Sequence, residues 1–155
     1  MEKTKTNSVK NKKKHTVFVQ GPISPQFIAD SISKHSVKHQ IGAHSIFLGQ
    51  VRRDSVQNST VRAIEYTAFT ELAEEKIGEI REKAFAQYNL ECMHIYHSLG
   101  EVKCGEICLF VFTSSVHREA ATKACHEIVE SIKKEVPIWG KELHDNNSHS
   151  WKVNL

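Results

Sequence analysis

The chain has 155 residues, 39% hydrophobic and 25% charged, which are proportions for one folded domain with a substantial core. No apolar run approaches the roughly 20 residues that span a bilayer, and residues 1–14 lack the apolar stretch of a secretory leader, so neither a membrane nor a secreted protein is expected. The net charge of +3 is uneven: six lysines against Glu2 give residues 1–14 a net +5 and leave 15 basic and 17 acidic side chains elsewhere. A nucleic-acid binder carries its basic excess on the folded surface, which argues against that class here.

Residues 1–15 are expected to form a disordered basic tail and residues 16–155 a single domain. Residues 16–20 read as a short strand and Gly21-Pro22 as a turn. Ser24-Pro25 supplies the cap and first position of a helix running to about Lys34. Residues 43–53 read as a strand apolar on both faces, with Ile46 and Leu48 on one and Phe47 and Val51 on the other. That pattern predicts a place inside a sheet. A polar loop over 54–60 precedes a strand over 61–69. Residues 71–88 follow as a helix, with Ala73, Ile77, Ile80, Ala84 and Tyr88 on one stripe.

Strands are then expected over 90–99 and 106–115, linked by a shorter extended piece around 100–105. The run Ile107-Cys108-Leu109-Phe110-Val111-Phe112 is apolar throughout and predicts a central strand. A last long helix spans 117–135, with Ala121, Cys125, Ile128 and Ile132 inward and Pro137 ending it. Residues 138–155 read as a polar, partly extended tail. Strands around two long helices, with no connection demanding a parallel ladder, indicate an α+β fold with a mainly antiparallel sheet.

Four cysteines (Cys92, Cys104, Cys108 and Cys125) show no paired spacing and are expected as reduced thiols in a cytoplasmic protein. The tightest metal-like cluster is Cys92-x-His94-x-x-His97. Strand alternation sends His94 and His97 to opposite faces, so no metal site is expected from that set.

Three other clusters bear chemistry. Ser115-Val116-His117-Arg118 opens the last helix, where free N–H groups, an imidazole and a guanidinium suit an anion such as phosphate. Lys133-Lys134 closes that helix, and Pro137, Trp139 and Lys141 follow in a rigid turn. A lysine in a partly apolar pocket there can serve as acid, base or nucleophile. Gly49-x-Val51-Arg52 delivers an arginine to the edge of the sheet beside a glycine that permits close approach.

Taken in order, these stretches resemble the catalytic (large) subunit of molybdopterin synthase, the MoaE type. The matching pieces are Gly42-Ala43 with Phe47-x-Gly49-x-Val51-Arg52, then Ile64-Glu65-Tyr66, then His97-x-x-Gly100-Glu101-Val102 with Gly105-Glu106. Ser115-x-His117-Arg118-x-Ala120 and Ile132-Lys133-x-x-Val136-Pro137-Ile138-Trp139 complete the series.

The resemblance implies an α/β-hammerhead fold and a homodimer within a heterotetramer. It also implies a small ubiquitin-like sulfur-carrier partner whose C-terminal Gly-Gly thiocarboxylate enters a pocket of the large subunit. Two sulfur transfers would convert cyclic pyranopterin monophosphate to molybdopterin, with no cofactor and no metal. By residue, the resemblance implies that Lys133 is catalytic, that Arg52, His117 and Arg118 bind substrate and that Phe47 walls the pocket; Gly140 and Glu142 are expected to bind substrate with them, and Lys141 to be a second catalytic amine.

Two departures stand out. The family commonly carries a second lysine directly after Pro-x-Trp, where this chain has Gly140, with Lys141 one step later; and His97 is followed by Ser98 rather than arginine. Either Lys141 supplies the missing amine, or Lys133 works alone, or the subunit is degenerate. The rival classes are a non-catalytic module docking RNA or an acidic protein, and an enzyme built on Cys104 or Cys125.

Overall fold

Residues 17–154 are described by the computed structural model; the expected basic tail, residues 1–15, lies outside the described residues. The elements run β1 (Phe18–Gln20), α1 (Pro25–His35), β2 (Ala43–Gln50), β3 (Ser55–Val56), β4 (Ser59–Ala68) and α2 (Thr70–Gln87). They continue with β5 (Cys92–Lys103), β6 (Ile107–Ser115), α3 (Arg118–Glu135), β7 (Ile138–His144) and β8 (His149–Trp151). The sheet order is β2-β6-β5-β4-β7-β8, antiparallel along that path, with β3 paired to β4. Among the described residues the one parallel pair is β1 on β5, where Phe18 lies opposite His97.

β5 runs unbroken where the sequence suggested two pieces, because Gly100 takes a φ of +82° and turns the strand without ending it. Its first half pairs with β6 and its second half with β4, so it joins the two wings of the sheet. β6 is central, as its apolar run predicts. Leu109 and Val111 pack into the main core with Ile77 and Ile80 of α2 and Ile128 and Ile132 of α3. Phe110 and Phe112 pack into a second, smaller core with Ile23, on the face that α1 covers.

Ser24 caps α1 as expected, its hydroxyl accepting from the Phe27 amide at 3.1 Å. α3 begins at Arg118, one residue after the expected start, with His117 as an extended N-cap. Ser115 stands in for a side-chain cap: its hydroxyl accepts from the Ala121 amide at 3.0 Å and donates to the His117 carbonyl.

Three expectations are corrected. β2 ends the sheet instead of lying inside it, and Ile46, Phe47 and Leu48 remain 36–41% exposed. An apolar run shows that a strand's faces are to be covered, but not that another strand of the same chain covers them. The loop over 54–60 contains the hairpin β3–β4, turned through Gln57 and Asn58 at φ 46° and 64°. The supposed polar tail folds back as the hairpin β7–β8, and β7 pairs with β4 along seven positions from Val61 to Ala68.

Candidate active site

The C-terminal half of α3 passes over the sheet, where Val129, Glu130 and Lys133 share a cavity with residues of β2 and β4. Along β2 the odd residues face α3, which brings Phe47 and Gly49 toward it. Gly49 packs closely there: a Cβ would stand 3.1 Å from Leu109 Cβ, which would have to give by a few tenths of an ångström. Between these elements lies a cleft of about 400 Å³. Phe47, Gly49 and Arg52 form one wall, Ile64 and Glu142 the other, and Lys133 reaches in from α3. A small recess adjoins it, bounded by Tyr66, His97, Gly140 and the same Lys133.

Lys133 is half-buried, and burial together with the nearby Lys152 ammonium pushes its pKa below the usual lysine range. His97 backs the recess and is driven down to about 4. Burial is the main cause and Lys133 and Lys152 add to it, while the Ser98 carbonyl, accepting from Nδ1 at 2.7 Å, opposes it. The Tyr66 phenol is raised by burial, with Cys108 and Glu142 contributing. Arg52 lies on the rim with its side chain 76% exposed, its Nε 3.3 Å from the Asp54 carboxylate. Glu142 accepts from the Ser150 hydroxyl at 3.0 Å, which fixes its carboxylate against the wall.

Of the residues singled out in the sequence, Lys133, Arg52, Phe47, Glu142 and Gly140 therefore come together. Lys141 does not join them. Alternation along β7 puts Gly140 and Glu142 on the cleft face and Lys141 on the reverse, in register with Glu65.

The second amine is Lys152, a residue the sequence reading passed over. It follows β8, its amide donates to the Gly140 carbonyl at 2.8 Å, and its Cβ lies 3.4 Å from where a Gly140 Cβ would stand. Asn154 also lines the cleft and donates from Nδ2 to the Lys133 carbonyl at 3.2 Å. The signal for both was the period-2 alternation of Ser150, Lys152 and Asn154 with Trp151, Val153 and Leu155, a strand pattern at the end of the chain.

His117 and Arg118 are exposed at the opposite end of α3, on an open surface with Glu119, Thr122 and Lys123. Fifteen residues of helix separate Arg118 from Lys133, a rise of about 22 Å. The two cysteines weighed as nucleophiles are structural in their surroundings. Cys125 is buried on α3 with its thiol pKa raised by burial, and Cys104 donates from Sγ to the Val61 carbonyl at 3.0 Å. Among the described residues, those placed to hold a metal are His35, Cys92 and His94, on the α1 face of the sheet and away from the cleft.

Comparison with known proteins gives a consistent result. The family model described as MoaE protein matches residues 19–135. The molybdopterin synthase catalytic subunit of Thermoplasma volcanium is 36% identical over 110 residues, covering 71% of this chain and 80% of that protein. That of Aspergillus niger is 32% identical over 140 residues, covering 90% and 75%. The rice subunit (Oryza sativa subsp. indica) is 36% identical over 113 residues, and the match spans 73% of this chain but only 58% of that longer protein. Among solved structures, molybdopterin synthase from Staphylococcus aureus superimposes with a TM-score of 0.77 at 26% identity, covering 88% of this chain and 96% of that one. One from Helicobacter pylori 26695, described as a complex of subunits 1 and 2 of molybdopterin-converting factor, shares the fold with a TM-score of 0.75 at 19% identity, covering 88% and 89%.

Proposed function

This chain belongs to the MoaE protein family, and on that premise we propose that it is the catalytic subunit of a molybdopterin synthase. The substrate is cyclic pyranopterin monophosphate. Sulfur arrives on the C-terminal thiocarboxylate of a small ubiquitin-like partner, whose narrow Gly-Gly end enters the cleft. Two transfers build the dithiolene. The assembly is a heterotetramer around a homodimer of this chain.

One observation carries the reading: the half-buried Lys133 amine faces Phe47, Gly49, Arg52 and Glu142 across a single cleft. A lysine whose pKa is lowered gives up and takes back a proton more readily near neutral pH, which suits acid–base steps as sulfur replaces oxygen. In its charged form the same amine steadies the anion that develops on the substrate. Lys152 keeps the recess cationic where Gly140 brings no side chain. Arg52 holds the phosphate from the rim, and His117 and Arg118 of the second copy hold it from across the dimer. The nucleophilic sulfur is the partner's, so the structural roles of Cys104 and Cys125 agree with the mechanism. Four free thiols accord with a cytoplasmic location.

The test is direct. The purified chain, mixed with thiocarboxylated partner and the pterin precursor, yields molybdopterin and the partner's free carboxylate. A confirmed complex that consumes neither reactant overturns the proposal in favour of a non-catalytic module.

A further inference from the structure

We propose that His35, Cys92 and His94 form a binding site for a zinc ion, tying the end of α1 to strand β5. The site lies on the opposite face of the sheet from the cleft and does not rest on the function proposed for that cleft. His35 closes α1, while Cys92 and His94, two residues apart on β5, point to the same side of the sheet. Their ligand atoms all lie within 4.8 Å of one another, and His35 Nε2 stands 3.0 Å from His94 Nε2. In a tetrahedral zinc site, bonds of about 2.0 Å to nitrogen and about 2.3 Å to sulfur put two imidazole nitrogens about 3.3 Å apart. They put nitrogen and sulfur about 3.6 Å apart. The two imidazole nitrogens are therefore within a few tenths of an ångström of the required N–N edge, while the sulfur, within 4.8 Å of both, closes by at most about 1.2 Å.

The surroundings orient the ligands as a metal would need. His35 Nδ1 lies 2.7 Å from the Ser31 carbonyl, which can only accept, so Nδ1 carries a proton and Nε2 is the nitrogen left for a metal. A backbone carbonyl on the far nitrogen is the usual outer partner of a zinc histidine. Lys38 Nζ donates to Cys92 Sγ at 2.8 Å and so is an outer partner of the sulfur. The His35 ring packs against Phe112 at 4.8 Å, and both His35 and Cys92 are buried, so the ligands are held on rigid elements. One thiolate and two imidazoles form a borderline-soft set that selects zinc over magnesium or calcium. Three side chains leave the fourth position of the tetrahedron to an exogenous ligand. On binding, the Cys92 thiol proton passes to solvent and the sulfur–zinc bond forms, with no change of oxidation state.

The test is a titration of the metal-stripped full chain with Co²⁺, followed by displacement with Zn²⁺. One equivalent of Co²⁺ should bind and produce thiolate-to-cobalt charge-transfer absorption, and Zn²⁺ should abolish that absorption. Cys92→Ser should lose the band. His35→Gln and His94→Gln should weaken binding by more than the roughly tenfold to hundredfold that loss of an outer partner costs. Zn²⁺ should raise the Tm of the wild-type chain and leave that of Cys92→Ser unchanged. If Cys92→Ser fails to fold, the two histidine variants decide the question. Absence of the band, or its survival without Cys92, overturns the site and leaves two imidazoles sharing a proton.

Discussion

At the scale of single residues, the proposed chemistry concentrates on two lysines, one anticipated and one not. Lys133→Ala should lower sulfur transfer by about two to four orders of magnitude, the range for removal of a positioned acid–base group. It should leave the fold and the partner complex intact, because Lys133 ends a helix and fills no core volume. Single-turnover assays with a pre-formed complex measure this. Lys152→Ala should also lose activity, whereas Lys141→Ala should stay near wild type, because β7 turns Lys141 to the reverse face. Adding Gly140→Lys to Lys152→Ala should restore part of the loss. The new Cβ meets Ile64 Cγ2 at 3.0 Å, so that methyl must give slightly, and wild-type activity in Lys152→Ala itself would assign all the chemistry to Lys133.

His97 supplies a pH prediction at the same scale. Its pKa is near 4 in the folded chain, against about 6.5 for a free imidazole, so between those values the unfolded state binds the extra proton. Stability should be level above pH 6.5 and fall as pH drops toward 4, by about 3 kcal/mol in all. Denaturant melts across that window, with His97→Gln lacking this component, check it.

At the scale of elements, two joints hold the site in place. The first lies where β2 meets the start of α3. The Gly42 amide donates to the Ser115 carbonyl at 3.0 Å, and a Cβ at Gly42 would fall 2.1 Å from the Val116 carbonyl oxygen. Backbone cannot yield as a side chain can, so Gly42→Ala should destabilise by at least about 2 kcal/mol, measured by urea unfolding. The second joint is the β7–β8 hairpin. Its pairing to β4 sets the face on which Gly140, Glu142 and Lys152 appear, and a slip of one residue would exchange them for Lys141.

At the scale of the whole molecule, the 22 Å or so between Arg118 and Lys133 exceeds the reach of a pterin phosphate about 10 Å long. The site proposed here is therefore shared between two copies. In the proposed dimer, a two-fold axis would bring the start of α3 in one protomer toward the end of α3 in its mate. The exposed apolar edge of β2, with Ile46 and Leu48, is the kind of surface such a contact covers. Mixing inactive Arg118→Ala with inactive Lys133→Ala should restore about a quarter of wild-type activity, since half the dimers are mixed and each has one intact site. Confirmed subunit exchange without recovered activity would place the whole site in one chain.

Much of this was present in the linear order of residues. The stripes Ala73, Ile77, Ile80, Ala84 and Ala121, Cys125, Ile128, Ile132 mark the buried faces of α2 and α3, because helical periodicity is a local property. The apolar run 107–112 marks the central strand for the same reason, and Lys133, Arg52 and Phe47 stand in motifs whose order already pointed to one pocket. Tertiary structure alone decided the rest. Lys152 reaches Gly140, His35 reaches His94 across 59 positions, and β2 takes the edge of the sheet. Each of these depends on which strands pair and in what register. Strand pairing joins residues far apart in the chain, and a single-residue shift reverses the face of every side chain, so no local pattern carries that information.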